Sequence, residues 1–410
     1  MIKKKIPLKG WIMWLLASLF YAYQYILRVL PNIMMEDIMS KFHIDASIFG
    51  QFSGFYYVGY AGAHIPIGIL LDRLGPKSIL PICVVLTVLG LAPLIYTDLW
   101  IFPSIGRALI GIGSSGAILG VFKIIRLVFP ETRFTRMLGI AVTIGLLGAI
   151  YGGEPVNYLL GVFGWEIALH GIGLIGIVLA LFLYFLTPAL KGKKGFKGNV
   201  WHDVKEVLSN KMVLVICILG GFMVGPLEGF ADVWGTEYLK LAYELPDTIA
   251  SSLPSFIFLG MCFGAPFLSY AADRWHAYYG VITLSAFVMA FGFLLIFFGH
   301  LSVTFWGIIF FIIGIFCAYQ IPVIYKASSY VSEKAMGLTT ACANMIIMIF
   351  GYIFHGSIGR LMDVFWQGNM AHGMRVYLPS SYMKALLIIP IGLILGGIGF
   401  WYLKHKTKEG

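Results

Sequence analysis

The chain has 410 residues, of which 59% are hydrophobic and only 12% charged, with a formal net charge of +10. Soluble domains carry about 25% charged residues, and a water-soluble core of this length has no room for so much apolar surface. A water-soluble fold is therefore excluded, and with it the reading of the positive charge as a nucleic-acid surface.

Twelve apolar segments, each long enough to cross a bilayer core of about 30 Å, follow in chain order at 11–33, 48–70, 79–97, 100–122, 136–160, 166–187, 212–238, 248–271, 279–299, 303–325, 336–358 and 383–403. The first follows Lys3-Lys4-Lys5 and so imitates a signal peptide. It is too long for one, contains Arg28 and lacks a small-x-small cleavage site, so it is read as a retained helix. The longest polar break, 189–211, contains Lys191, Lys193, Lys194, Lys197, Lys205 and Lys211. It divides the spans six and six. The predicted fold is an all-α membrane protein of twelve transmembrane helices in two pseudo-symmetric six-helix bundles, 1–188 and 212–410, joined by a linker at 189–211.

Basic residues orient the chain. With the N-terminus inside, 22 of the 29 Lys and Arg residues fall in inner tails and loops. Five fall outside (Lys41, Lys240, Arg360, Arg375, Lys384), and Arg28 and Arg107 lie within spans. Both termini and the linker are thus expected in the cytoplasm. The five cysteines all lie in apolar segments without a CxxC pair, so they read as packing residues rather than metal ligands or disulfides.

The halves resemble each other. GAHIPIGILLDRLG (62–75) after span two and GAPFLSYAADRWH (264–276) after span eight both carry Asp-Arg near their ends. Spans five and eleven open on Met137-Leu138-Gly139 and Met336-Gly337-Leu338, and each closes near a Trp, Trp165 and Trp366. Repeated halves of this kind point to a transporter.

At the loop after span two, Gly68-Ile-Leu-Leu-Asp72-Arg73-Leu-Gly75-Pro76-Lys77 resembles the signature Gly-x-x-x-Asp-Arg-x-Gly-x-Lys/Arg of the major facilitator superfamily. Pro76 departs from the basic residue often found there. Arg107-Ala-Leu-Ile-Gly111-Ile-Gly113 resembles the superfamily's fourth-helix motif. Span five, with Gly139, Gly145, Gly148, Gly152 and Gly153, matches the glycine motif of its drug/proton antiporters only imperfectly, which argues against a multidrug antiporter. The resemblance implies a conformational gate at Gly68, Asp72, Arg73, Gly75 and Lys77, with Asp72 facing the N-terminus of helix eleven, where a helix dipole favours a carboxylate. Asp273 and Arg274 form a weaker copy. Arg107 is tied in relatives to helix packing and to proton coupling.

Ionisable residues inside a membrane are functional candidates. In span one Tyr21, Gln24 and Arg28 share a face, and Glu228 and Asp232 follow the Gly225-Pro226 step of span seven. The resemblance implies that helices one, four, seven and ten line a cavity flanked by two, five, eight and eleven. Substrate contacts are expected from Gln24, Arg28, Tyr57, Glu228, Asp232, Tyr319, Gln320 and Asn344. Proton coupling is expected from Glu154, His355 and Arg107, the first two at related depths in spans five and eleven. Bland readings stand beside these. Arg28 is either a structural lock with Asp232 or Glu228, or a binder of a substrate carboxylate or phosphate through its planar fork. Glu154 and His355 are either an interhelical pair or a proton relay. His64 reads as helix packing, and Lys123, Arg126 and Lys326 as snorkelling side chains.

One deep arginine with three acids and a histidine suits a substrate bearing both charges, such as an amino acid, a betaine or a short peptide. It also suits an organic anion or sugar phosphate moved with protons. The expectation is a secondary active transporter working by alternating access, coupled to protons, monomeric, in a lipid bilayer such as a bacterial inner membrane. A multidrug efflux antiporter and a non-transporting receptor are the lesser alternatives. No GxxxxGK[ST] phosphate loop, metal-ligand spacing or nucleophile constellation occurs in the sequence, so no enzyme activity, cofactor, metal or nucleic-acid partner is expected.

Overall fold

The computed structural model describes residues 7–188, 200–299, 301–332, 336–371 and 373–407. The first part of the expected linker, 189–199, including Lys191, Lys193, Lys194 and Lys197, lies outside the described residues, as do Lys334 and Lys408. Twelve long helical segments follow one another: Leu8–Ile33, Ala46–Leu74, Pro76–Tyr96, Ile101–Val128, Glu131–Phe163, Trp165–Leu186, Lys211–Tyr243, Asp247–Trp275, Tyr278–Phe298, Val303–Ser328, Met336–Val364 and Pro379–Thr407. They are spans one to twelve below. Among the described residues, eleven are both long and apolar enough to cross a membrane. Span two is as long, but Tyr56, Tyr57, Tyr60, His64 and its glycines dilute its apolar character.

Five spans are broken where the sequence placed continuous helices. Span five breaks at Gly152–Gly153, span seven at Met223–Val224, span eight at Leu253–Pro254, span ten at Ala318–Tyr319 and span twelve at Leu387. A proline lies in or closely after each break: Pro155, Pro226, Pro254, Pro322 and Pro390. Proline has no N–H to donate, and its ring collides with the carbonyl four residues back, which favours a break in the helix at these positions. In span seven the chain restarts as a π-helix, Gly225–Trp234, before Gly235–Tyr243 resumes the α form. Three short elements were not expected: a helix at Met35–Phe42, a helix at Val200–Ser209 within the expected linker, and an antiparallel hairpin pairing Met370–Ala371 with Met374–Arg375. Lys240, Arg360 and Lys384, expected in loops, lie within helices.

The chain forms two compact units. One comprises Met1–Arg28 with Val58–Gly198, the other Val29–Tyr57 with Asn199–Gly410. In the first, glycines serve close packing. A Cβ on Gly113 would stand 2.7 Å from Thr87 Cγ2, and one on Gly116 would stand 2.6 Å from Cys83 Sγ, so the fourth-span motif presses span four onto span three. A Cβ on Gly148 would meet the Ala22 backbone, with Cα at 2.6 Å, so span five lies directly on span one. Trp14 Nε1 donates to the Met137 carbonyl at 3.3 Å, and Tyr23 donates to that of Ile172 at 3.1 Å.

In the second unit Phe230 stacks on Phe310 and meets Phe293 edge-on, with ring centroids 5.4 and 5.2 Å apart. Residues 29–57 pack onto spans seven and eleven. Asn32 donates to the Ala231 carbonyl at 3.1 Å and accepts the Thr236 N–H at 3.1 Å. Span two runs against span eleven through facing glycines. A Cβ on Gly54 would lie 3.2 Å from Tyr352 Cα, and one on Gly359 would lie 3.1 Å from Ser47 Cα.

Candidate functional site

The π-helical turn places Glu228 and Asp232 in the second unit. Bonds that close over five residues rather than four widen the turn, so residues four apart share a face. Both carboxylates are fully buried, and all ten residues of the segment are buried. Tyr57, from span two, points its hydroxyl at both. It lies 3.0 Å from Glu228 Oε2 and in short contact with Asp232 Oδ2. Gln320 Nε2 reaches Glu228 Oε1 at 3.5 Å from the restart of span ten. His355 Nε2 donates to the Glu228 main-chain carbonyl at 2.5 Å, and its ring stands edge-on to Tyr57 at 5.3 Å. A carbonyl only accepts, so Nε2 carries a proton. Four spans thus converge on one polar cluster, buried at Tyr57, Glu228, Asp232 and His355 and half-buried at Gln320.

Other sequence candidates lie elsewhere. Tyr319 is buried and donates to the Gly220 carbonyl at 2.8 Å, a contact that joins span ten to span seven. Asn344 is half-buried on span eleven. In the first unit Gln24 is buried, and the buried Arg28 guanidinium lies 5.2 Å from the centre of the Tyr25 ring. Arg107 donates to the carbonyls of Leu27 and Arg28 at 2.7 and 3.3 Å, so its charge meets carbonyl dipoles and ties span four to span one. Glu154 is half-buried in the first turn of Glu154–Phe163, where the helix dipole favours a carboxylate. His64 is buried beside the Tyr60 ring.

Of the signature loop, Gly75 adopts φ +79°, and Asp72 pairs with Lys123 at 2.6 Å. In the second copy Tyr278 donates to Asp273, and Arg274 lies in the last turn of its helix.

The sequence reading missed a second polar cluster of the same unit. Asp363 Oδ2 accepts the Ser47 N–H at 3.1 Å, at the start of span two. Its other oxygen accepts Tyr377 O–H at 2.5 Å and pairs with Arg375 at 3.0 Å. Tyr377 in turn accepts the Ala46 N–H at 3.0 Å. Burial, with Asp363 adding to it, holds the Tyr377 hydroxyl above the usual phenol range, so it remains a donor. The available signal was an acid ending an apolar run, followed twelve residues later by Arg375. Among the described residues no group of three His, Cys, Asp or Glu side chains is placed to hold a metal ion.

A family model described as the Major Facilitator Superfamily matches residues 13–355. An uncharacterized transporter of Buchnera aphidicola subsp. Schizaphis graminum is 23% identical over 339 residues, covering 80% of this chain and 77% of that relative. The uncharacterized transporter YybO of Bacillus subtilis is 23% identical over 187 residues, a match that spans 45% of this chain and 43% of YybO. Among solved structures, a bacterial homolog of the human lysosomal transporter Spinster superposes with a TM-score of 0.75 at 18% identity, covering 98% of both chains. Twelve long helices, a signature loop at 68–77 and a family match across most of the length agree: the chain belongs to the Major Facilitator Superfamily and is a multi-pass membrane transporter of that type.

Proposed function

We propose that the chain is a proton-coupled secondary carrier of a small charged metabolite, working by alternating access. The leading substrate class is a zwitterion such as an amino acid, a betaine or a short peptide. One observation carries the reading: two buried carboxylates share the hydroxyl of Tyr57. That hydroxyl has one proton to donate. When it serves Asp232, its contact with Glu228 is favourable only if the glutamate carboxyl brings a proton of its own. Like charges at such a site also oppose double ionisation. The cluster thus favours one bound proton, and releasing it would rearrange hydrogen bonds on spans two, seven and ten together.

In this reading Glu228 and Asp232 serve a cationic group or the coupling proton, with Gln24, Tyr319, Gln320 and Asn344 as further substrate contacts. The buried Arg28 supplies the positive charge. An organic anion or sugar phosphate moved with protons is the second class, favoured by the planar fork of Arg28. Glu154 and His355 are assigned to proton relay, and Arg107 to coupling through its grip on span one. Gly68, Asp72, Arg73, Gly75, Lys77, Asp273 and Arg274 are assigned to gating. A monomer in a bacterial inner membrane, with both termini cytoplasmic, completes the proposal.

The test is reconstitution in proteoliposomes with an entrapped pH dye, using solutes chosen by thermal shift, since a ligand stabilises the state it binds. Solute should drive lumenal acidification in the wild type. Glu228→Gln should abolish net proton movement while solute exchange persists. Proton movement unchanged in Glu228→Gln, Asp232→Asn and Tyr57→Phe alike would overturn the proposal.

A further inference from the structure

Where span seven begins and span twelve ends, the second unit carries a groove of about 460 Å³, within the range of about 300–1,000 Å³ of small-molecule sites. Its walls are two helical stripes. On span seven Lys211, Val215 and Leu219 follow at intervals of four residues, and on span twelve Gly399, Leu403 and Lys406 follow at four and three. Residues three or four apart share a helix face, so each stripe is a continuous wall of about two turns, uncharged apart from the lysine at its end. Lys211 opens its helix, and Lys406 lies next to the last residue of its own. Both line the same groove, so the two charges stand at the same end of it.

Neither lysine has an acidic partner among the described residues. Lys211 also sits at the positive end of a helix dipole, where a second positive charge is unfavourable unless an anion joins it. A Cβ on Gly399 would meet Leu219, with Cδ1 at 2.8 Å. The glycine therefore lets that leucine lie flat and keeps the apolar trough open.

We propose that this groove is a binding site for an anionic phospholipid, its phosphate held between Lys211 and Lys406 and an acyl chain lying along Val215, Leu219 and Leu403. Two features select a lipid over a free anion: most of the lining is uncharged, and both helices cross the membrane, so acyl chains are the ordinary neighbours of the exposed Val215 and Tyr402. The uncompensated lysine pair selects an anionic headgroup over a zwitterionic one. Basic residues at a membrane surface contribute about 1 kcal/mol each toward anionic lipid.

The full-length protein in detergent is titrated with phosphatidylglycerol, phosphatidylcholine or inorganic phosphate, read by native mass spectrometry and thermal shift. Phosphatidylglycerol should bind the wild type in preference to phosphatidylcholine. Lys211→Gln with Lys406→Gln should weaken phosphatidylglycerol binding by about 30-fold, which is about 2 kcal/mol at 1.4 kcal/mol per tenfold. Lys211→Arg with Lys406→Arg should retain it. Equal binding of the two lipids by the wild type, or unchanged phosphatidylglycerol binding by the glutamine variant, overturns the site. So does stabilisation by inorganic phosphate equal to that by phosphatidylglycerol, which would mark an adventitious ion only. If the glutamine variant fails to fold, the comparison of the three ligands on the wild type and the arginine variant still decides.

Discussion

Gly50 offers a direct test of how span two is held. A Cβ there would run into the His355 carbonyl oxygen, with the carbonyl carbon at 3.0 Å and Trp234 Cζ2 at 3.3 Å. Carbon atoms pack best at about 3.5–4.0 Å, so span two must withdraw by roughly 0.5–1 Å, which forfeits a quarter to a half of each facing contact. The carbonyl is main chain and has no rotamer by which to move aside. Overpacking of this kind costs about 1–3 kcal/mol. Replacing a helical glycine with alanine also returns roughly 0.5–1 kcal/mol of backbone entropy. That gain is the same whether span two is packed or withdrawn, so it cancels from the packing equilibrium. The remaining 1–3 kcal/mol shifts the equilibrium by about 5- to 150-fold. Ser53, one turn along the same face, is fully buried and makes a reporter. In a Ser53→Cys background, Gly50→Ala should speed maleimide labelling of the new thiol by that factor. Gly356→Ala is the control, since a Cβ there meets nothing within 4 Å. Labelling no faster in Gly50→Ala than in Gly356→Ala, with both proteins folded, would refute the reasoning.

Asp363→Asn removes the charge that holds Ser47 N–H, Tyr377 and Arg375 together. It should lower stability by about 1–2 kcal/mol, the sum of a lost cap and a part-exposed ion pair, and it should raise Ser53→Cys labelling as Gly50→Ala does. Asn210 caps span seven by accepting the N–H groups of Met212 and Val213 at 3.0 and 3.2 Å, while its own amide donates to the Tyr330 carbonyl at 2.8 Å. Asn210→Ala should cost about 1–2 kcal/mol in thermal unfolding and speed hydrogen exchange at those two amides. Asp72→Asn breaks a pair whose carboxylate is half exposed, so its effect on stability should stay below about 1 kcal/mol. A large loss of transport at unchanged stability would support the gating role; parallel losses would remove it.

The spans were legible because lipid demands long apolar runs, and the sequence supplies them in blocks. Glu228 and Asp232 were legible as acids in such a run, and Tyr57 as a polar residue on a neighbouring span. Their meeting was not, because it depends on which helices adjoin. For His355 the structure gives contacts that the sequence did not name, the Glu228 carbonyl and the Tyr57 ring. The breaks were hard to read for a different reason. Pro66 and Pro266 lie inside unbroken helices, whereas Pro155, Pro226 and Pro322 each follow a break. The residue type is the same, and the local packing decides. Asp363, Arg375 and Tyr377 escaped notice because charges near span ends read as loop charges until the fold brings them to the start of another helix.

The wide turn in span seven also sets a phase. An α-helix advances about 100° and 1.5 Å per residue. Closing one five-residue turn of Gly225–Trp234 as a four-residue turn would therefore rotate everything after it by about 100°. Tyr238 and Leu239, now fully buried, would swing away from the aromatic core that Phe230 and Phe297 form around Tyr238. Asn32 would lose alignment with its two main-chain partners on that helix. A one-residue deletion within this segment should thus be absorbed as an ordinary helix with the lower half unmoved, whereas a deletion beyond Trp234 should misplace the half that follows.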